Sequence, residues 1–236
     1  MDAPARSESL GTVPGGRAPV SAILLAAGAS TRFGAQKLLV PVAGVPLVCW
    51  AARHARTAAI AELVVVLGRE AAAVRSALAG DAPGWHPAPA EEAMSPGECL
   101  APPLRFVRNR RYAGGMAGSI RAGVRALTAD AGAALVLLGD QPGVIPAVID
   151  RLIDCWRTGG AAIVAPSYRG FRGNPVLFDR SLFPELLGLR GDEGARGLIA
   201  KQPDRLVSVP FDLDPPADVD VPADRARLAA GEAVRG

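Results

Sequence analysis

Short, unbroken apolar runs alternate with amphipathic stretches along most of the chain. The apolar runs cover residues 20–27, 63–67 and 135–138, and each has the length and continuity of a strand that is buried on both faces. Stretches compatible with helices lie at 47–57, 70–78, 119–127 and 145–157. This alternation predicts an α/β fold, in which helices cover both faces of a parallel sheet.

The later part of the chain predicts further strands and a less regular sheet. Candidate strands lie at 161–165, 175–178 and 206–209, followed by a last helix near 223–230, so we expect the sheet to be mixed at that end. Residues 1–19 contain three prolines and little apolar content, which predicts a flexible tail before a single domain over 20–236. Residues 80–103 contain six prolines and predict a surface insertion.

Composition narrows the class of protein. The formal net charge is +3 with scattered basic residues, which argues against a nucleic-acid-binding surface, although a modest positive field suits an anionic substrate. The three cysteines have no paired spacing, so neither a disulfide framework nor a thiolate metal site is expected. Without a leader-like start or a long apolar run, the sequence predicts no membrane partner and a cytoplasmic location.

The loop after the first apolar run has the composition of a phosphate-binding loop. Its residues 28–37 combine the glycines Gly28 and Gly34 with the hydroxyl of Ser30 and the cations Arg32 and Lys37. Lys37 is one of only two lysines in the chain, which suggests that a compact ammonium group is required there. The spacing fits neither a P-loop nor a dinucleotide fingerprint, and an ordinary surface turn remains the alternative.

An acidic residue stands at the end of the third apolar run. Asp140 follows residues 135–138 and would lie at the carboxyl end of a strand, where a carboxylate can hold Mg²⁺ bound to a triphosphate. Helix capping is the alternative role for Asp140. Asp220, which follows a further predicted strand, is our candidate for a second metal ligand, in preference to the nearby Asp218.

Three further segments carry candidate binding residues, each with a structural alternative. Ser119 begins a predicted helix and could face the nucleotide, or could simply cap that helix. The Gly173-Asn174-Pro175 turn could lie beneath the second substrate, or could only shape the start of a strand. Arg196 follows Asp192 near a helix start, where Asp192 could cap and Arg196 could bind phosphate. His54 and His86 have no second ligand at metal spacing, so no histidine chemistry is expected.

These blocks together resemble a known family, the nucleotidyltransferases that complete molybdenum cofactors, and within it the cytidylyltransferase branch. The opening signature is Leu25-Ala26-Ala27-Gly28-x-Ser30-x-Arg32-x-Gly34-x-x-Lys37, where the guanylyl-transferring branch has a second glycine at the position of Ala27. The other matching blocks begin at Gly115, Leu138, Gly173, Gly191 and Asp218. The resemblance implies a single-domain, Rossmann-like three-layer sandwich of the nucleotide-diphosphosugar transferase type.

The resemblance also implies the substrates and the role of each site residue. CTP would be the donor and a molybdenum-pterin phosphate the acceptor, with Mg²⁺ as cofactor, Mn²⁺ able to substitute, and a recipient molybdoenzyme as a further partner. The expected catalytic residues are Lys37, Arg32 and Asp140, and the expected metal ligands are Asp140 and Asp220. The expected nucleotide-binding residues are Leu25, Ala26, Ala27, Gly28, Ser30, Gly34, Lys37 and Ser119, and the expected acceptor-binding residues are Gly173, Asn174, Pro175 and Arg196.

Two other functions fit the same residues. One is a guanylyltransferase, or a cytidylyltransferase that acts on another phosphorylated acceptor. The other is a nucleotide-binding partner that delivers cofactor without catalysing transfer. The presence of two cations and two acids in the expected site favours an enzyme over the delivery partner.

Overall fold

The structure is a computed structural model, and it describes residues 18–28, 36–81, 101–192 and 194–217. The strands in these ranges are β1 (Val20–Ala26), β2 (Pro41–Val42), β3 (Val45–Pro46), β4 (Glu62–Leu67), β5 (Leu104–Arg108), β6 (Ala133–Leu138), β7 (Ile163–Tyr168), β8 (Phe171–Arg172), β9 (Val176–Asp179) and β10 (Leu206–Phe211). The α-helices are α1 (Leu47–Arg56), α2 (Ala71–Ser76), α3 (Met116–Ala126), α4 (Pro146–Gly159), α5 (Phe183–Gly188) and α6 (Arg196–Ala200).

Eight of the strands form one sheet, in the order β10-β7-β9-β6-β1-β4-β5, with β8 paired to β7. Neighbouring strands are parallel except where β9 pairs antiparallel with β6 and β7, and where β8 folds back on β7. β2 and β3 form a separate hairpin. The expected α/β fold, with a mainly parallel sheet that is mixed at one end, is confirmed.

Helices cover both faces of the sheet because successive residues of the central strands point to opposite sides and both sides are apolar. One core packs α1, α2 and α4 against Ala22 and Leu24 of β1. The other packs α3, α5 and α6 against Ile23 of the same strand. The fold therefore has three layers, and the loops at the carboxyl ends of the parallel strands meet along one edge.

The predicted elements agree with the structure where the apolar pattern is strong. The four predicted helices are present, with ends shifted by at most three residues. The sequence pattern missed β5, which directly follows the proline-rich segment and lies at the edge of the sheet, where none of its residues is fully buried. Residues 1–17, most of the predicted insertion (82–100) and the predicted last helix (223–230) lie outside the described ranges.

A buried carboxylate joins several strands at the edge of the sheet opposite the ends of β1 and β6. Glu62 is 2% exposed and accepts hydrogen bonds from the Ser21 hydroxyl at 2.8 Å and from Arg105 at 2.8 Å. It also accepts from the backbone N–H of Thr128 at 2.8 Å. Burial opposes ionisation, but these donors outweigh it and lower the pKa of Glu62. The network therefore stabilises β1, β4 and β5 while the carboxylate is charged.

Within the described residues, no helix combines the length and the apolar character needed to cross a lipid bilayer.

Candidate active site

A cleft of about 630 Å³ opens at the carboxyl ends of β1 and β6. These strands are neighbours in parallel register, with Leu25 opposite Leu138, so the loops that follow them lie side by side. Ligands of open α/β sheets bind at this position. The cleft is lined by Leu25, Ala27, Gly28, Lys37, Leu38, Tyr112, Ala113, Gly114, Gly115, Met116, Ser119, Leu138, Asp140, Gly191 and Asp192.

Lys37 and Asp140 form an ion pair in this cleft. The Lys37 Nζ atom lies 2.6 Å from Asp140 Oδ2, and the two side chains are 15% and 22% exposed. Lys37 begins a short 3₁₀ turn (Lys37–Leu39), in which Leu38 is buried. Asp140 lies two residues beyond the end of β6. The structure thus brings together two of the three residues expected to be catalytic, although 103 positions separate them in the sequence.

Backbone contacts on either side of the pair fix the positions of its two loops. The Gly139 N–H donates to the Leu25 carbonyl at 3.0 Å, which attaches the β6 loop to β1. On the other side, Gln36 is buried and its Nε2 donates to the Arg69 carbonyl at 3.1 Å. Lys37 and Asp140 are therefore held by residues directly beside them in the chain, as a binding site requires.

The residues present fit a magnesium ion that is carried mainly by a nucleotide. Asp140 offers a carboxylate at a strand end, and Mg²⁺ usually takes only one or two protein carboxylates together with phosphate oxygens and water. Among the described residues, no group of three or more His, Cys, Asp or Glu side chains could hold a metal. The described part of the site is thus not a closed protein cage for a metal.

A short turn and the start of α3 form the opposite wall of the cleft. Ser119 is buried, and its Oγ accepts from Asn109 Nδ2 at 3.1 Å. Asn109 Oδ1 in turn accepts from the Arg111 N–H at 3.0 Å, which holds the chain as it leaves β5. α3 begins at Met116, so Ser119 lies inside the helix, and the alternative in which it caps this helix is wrong.

The acceptor-binding candidates lie outside this cleft. Gly173, Asn174 and Pro175 precede β9, and because β9 is antiparallel they lie at the same edge of the sheet as Asp140. The Tyr168 hydroxyl donates to the Asn174 carbonyl at 2.8 Å, and a Cβ on Gly173 would lie 2.7 Å from the Tyr168 ring. Arg196 begins α6. None of these four candidates is among the cleft-lining residues.

Several expected site residues have other positions or are not described. Ala26 is 1% exposed and packs in the core. Successive residues of β1 face opposite sides of the sheet, and Ala26 lies on the same side as Ala22 and Leu24. Ser30, Arg32 and Gly34 lie outside the described residues, as does Asp220.

The sequence reasoning did not find Tyr112 or Leu38, which both line the cleft. The Gly114-Gly115 pair after the polar segment 108–111 was an available signal for the turn that carries Tyr112, since adjacent glycines mark turns. No sequence signal indicated that Leu38 lines the cleft, because an apolar residue beside Lys37 is equally compatible with a position in the hydrophobic core.

His54 lies beneath the loop that follows Asp140. Burial lowers the pKa of His54, and hydrogen bonds to the carbonyls of Pro142 and Val144 oppose this effect only in part. The residue is 8% exposed and is not among the cleft-lining residues. His54 therefore supports this loop through contacts with its backbone carbonyls.

The fold and the cleft define an α/β protein with a cleft at the ends of parallel strands, where open α/β sheets bind their ligands, and a lysine and an aspartate line this cleft. The sequence profile of the MobA-like NTP transferase domain matches residues 22–206, and the chain belongs to this family.

Two relatives with different names are similar in sequence to this chain. The nicotine blue oxidoreductase of Paenarthrobacter nicotinovorans is 32% identical over 196 residues, which are 78% of this chain and 83% of that protein. The bifunctional protein GlmU of Kineococcus radiotolerans is 35% identical over 148 residues, which are 61% of this chain but only 26% of that protein. The chain therefore spans about a quarter of the GlmU relative.

A solved structure matches almost the whole chain. Rv0371c from Mycobacterium tuberculosis H37Rv has a TM-score of 0.72 and 28% identity, and the match covers 91% of this chain and 98% of that one. The same protein has been crystallised in complex with manganese, and that structure matches with a TM-score of 0.70.

Proposed function

We propose that this chain transfers CMP from CTP to the phosphate of a molybdenum-pterin cofactor, with release of pyrophosphate. The observation that carries the proposal is the Lys37–Asp140 pair at the ends of β1 and β6, within a domain of the MobA-like family. A cation and a carboxylate at adjacent strand ends suit a triphosphate and the divalent ion that accompanies it.

The reaction requires mainly alignment and neutralisation of charge. A phosphate oxygen of the acceptor attacks the α-phosphorus of CTP, and the bond from that phosphorus to the bridging oxygen of the β-phosphate breaks. The electron pair leaves on pyrophosphate, so negative charge grows on the β- and γ-phosphates. The Lys37 ammonium group lies where it can neutralise this charge, and Gly28 lets the backbone approach the phosphates closely. No general base is needed, because the acceptor phosphate is already anionic.

Asp140 would hold the divalent metal, as the only acid of the proposed pair that lies in the described part of the site. When bound, Mg²⁺ neutralises phosphate oxygens and orients the triphosphate. The manganese complex of the related Rv0371c supports a divalent ion in this family. Asp220 as a second ligand and Arg32 as a second cation remain predictions from the sequence.

The choice of CTP rests on Ala27, where the resemblance distinguishes the cytidylyl from the guanylyl branch. Ala27 is 5% exposed and lines the cleft. A Cβ on Gly68 would lie 2.4 Å from the Ala27 carbonyl oxygen, so the neighbouring loop packs closely against this residue. The backbone at Ala27 therefore has little room to move, and its methyl group packs towards Gly68.

The decisive experiment measures pyrophosphate release from CTP and from GTP, each with Mg²⁺ and with or without molybdenum-loaded pterin cofactor. Release from CTP that depends on the cofactor is the expected result. Release from GTP but not from CTP would assign the protein to the guanylyl branch. Release from CTP only with a different phosphorylated acceptor would keep the proposed donor and replace the proposed acceptor. Nucleotide binding without release from any pair would refute transfer and support the delivery-partner function.

A control assay addresses the relative named as an oxidoreductase. The same protein preparation is incubated with nicotine blue and a reduced nicotinamide cofactor. Rapid reduction of the dye, together with no pyrophosphate release, would contradict the proposed transfer and favour the redox activity in that relative's name.

A further inference from the structure

The amino-terminal end of α3 is capped by a residue far away in the sequence. Gly115 occupies the cap position and offers no side chain to accept hydrogen bonds from the helix. Instead, the Met116 N–H donates to Asp192 Oδ1 at 3.1 Å, across 76 positions. The Ala117 N–H donates to the Gly191 carbonyl at 3.3 Å. Two of the first helix donors, which have no partner within the helix itself, are therefore satisfied by this one segment.

We call residues 189–192 the strap. A third contact holds it, because the Arg121 guanidinium of α3 donates to the Leu189 carbonyl. Gly115 has a φ of +98°, and a Cβ there would lie 2.5 Å from the Gly191 carbonyl oxygen. Only glycine fits this position, since both the backbone angle and the close approach exclude a side chain. The strap and α3 therefore fit together through their backbones.

The contact lies in the wall of the cleft. Gly115, Met116 and Ser119 of α3 line the cleft, and so do Gly191 and Asp192 of the strap. Because the first N–H groups of α3 already have acceptors, they do not serve as donors to a phosphate in this arrangement. The strap therefore acts on a ligand through the position of this wall.

We propose that Asp192 is a positioning residue for the donor nucleotide. By accepting from Met116, its carboxylate holds the start of α3 against the strap and so sets the distance between this wall and the Lys37–Asp140 pair. This role rests on the proposed function, because it assigns the cleft to the nucleotide. It also gives the Gly191–Asp192 segment a contact that its place in the sequence, before α6, did not suggest.

The test compares Asp192→Ala with Asp192→Asn. The asparagine side chain keeps an oxygen that can accept from Met116, whereas alanine removes the acceptor. Asp150→Ala is the matched control, because Asp150 Oδ1 likewise accepts from a distant backbone N–H, that of Ala59 at 2.8 Å, away from the cleft. Hydrogen exchange at the Met116 and Ala117 amides, equilibrium binding of CTP or GTP, and the separate values of kcat and KM are measured for each protein.

For Asp192→Ala we expect faster exchange at both amides and nucleotide affinity weakened about fivefold, as for loss of a helix cap. KM for the nucleotide should rise by a similar factor, and kcat should stay within about twofold because the capping contact persists through the reaction. Asp192→Asn and Asp150→Ala should resemble the wild type in all three measurements. Gly115→Ala should repeat the Asp192→Ala pattern, because its methyl group displaces the strap from the other side.

Two results would overturn the proposal. The first is unchanged exchange and affinity in Asp192→Ala. The second is an Asp192→Asn variant as impaired as Asp192→Ala, with kcat as the affected constant, because the charge itself would then matter rather than the hydrogen bond. If the wild-type protein releases no pyrophosphate, the proposed function fails, but the exchange and nucleotide-binding measurements still test the positioning role.

Discussion

Replacing Asp140 by asparagine removes one negative charge from the cleft while keeping the size of the side chain. In the structure this carboxylate lies 2.6 Å from the Lys37 ammonium group, and both side chains retain some contact with solvent. Loss of a partly exposed ion pair costs about 1 kcal/mol or less. For a domain of this size, that shifts Tm by about 2–4 °C, so the variant should stay folded.

The effect of Asp140→Asn on turnover should be much larger than its effect on stability. The carboxylate is the proposed anchor of the divalent ion, and removing one preorganised charge contact from a transferase site lowers kcat by about 10²–10³. The assay is pyrophosphate release at saturating CTP and acceptor, repeated over a range of Mg²⁺ and Mn²⁺ concentrations. We expect the apparent affinity for the metal to fall along with kcat.

Two comparisons make this result specific. Asp150→Asn changes a half-buried aspartate that does not line the cleft and should leave turnover unchanged. Lys37→Gln should also lower kcat, and the double variant with Asp140→Asn should be less impaired than the product of the two single effects, because the residues act on one ligand. An Asp140→Asn protein with nearly full turnover and an unchanged metal requirement would refute the assignment of this carboxylate to the metal.

Three further predictions concern contacts that hold the sheet and its loops together. Glu62→Gln should lower stability at neutral pH by about 2–4 kcal/mol. Because folding lowers the pKa of Glu62, denaturant titrations at several pH values should show the wild-type advantage shrinking once the pH falls below the ordinary value of 4.5 and disappearing as the pH passes the lowered pKa of the folded state. Gly68→Ala should cost more free energy in CTP binding than in unfolding, because its Cβ would meet the Ala27 carbonyl oxygen at 2.4 Å. Unchanged CTP binding in calorimetry would contradict this packing argument. Tyr168→Phe should lower the free energy of unfolding by about 1 kcal/mol and raise the KM for the acceptor, because the hydrogen bond to the Asn174 carbonyl is lost. A KM for the acceptor like that of the wild type would exclude this turn from the acceptor site.

The strongly patterned elements were predictable because they are buried on both faces. A strand such as β6 must be apolar along its whole length, and this continuity is visible in the sequence. The proximity of Lys37 and Asp140 has a related origin, since each follows such a strand and strand ends converge at one edge of the sheet. β5 was not predicted because it is an edge strand in which Arg105 and Arg108 interrupt the apolar pattern.

Contacts that depend on tertiary packing could not be predicted. Asp192 seemed suited to cap the helix that follows it, but it caps α3 instead, since α5 and the strap pack beside that helix. Ala26 belongs to the opening motif, yet it packs in the core, because a motif does not show which face of a strand each residue occupies. In both cases a local pattern was compatible with several spatial arrangements, and only the fold decided among them.

The reversed direction of β9 divides the edge of the sheet between two kinds of connection. Lys37 and Asp140 follow their strands, whereas Gly173, Asn174 and Pro175 precede theirs and belong to a hairpin built from β7, β8 and β9. The register of β1, β4 and β6 does not depend on the length of that hairpin's tip. Under the proposed function, the acceptor-binding candidates therefore lie on a connection whose tip can change in length without a change in the register of the central strands.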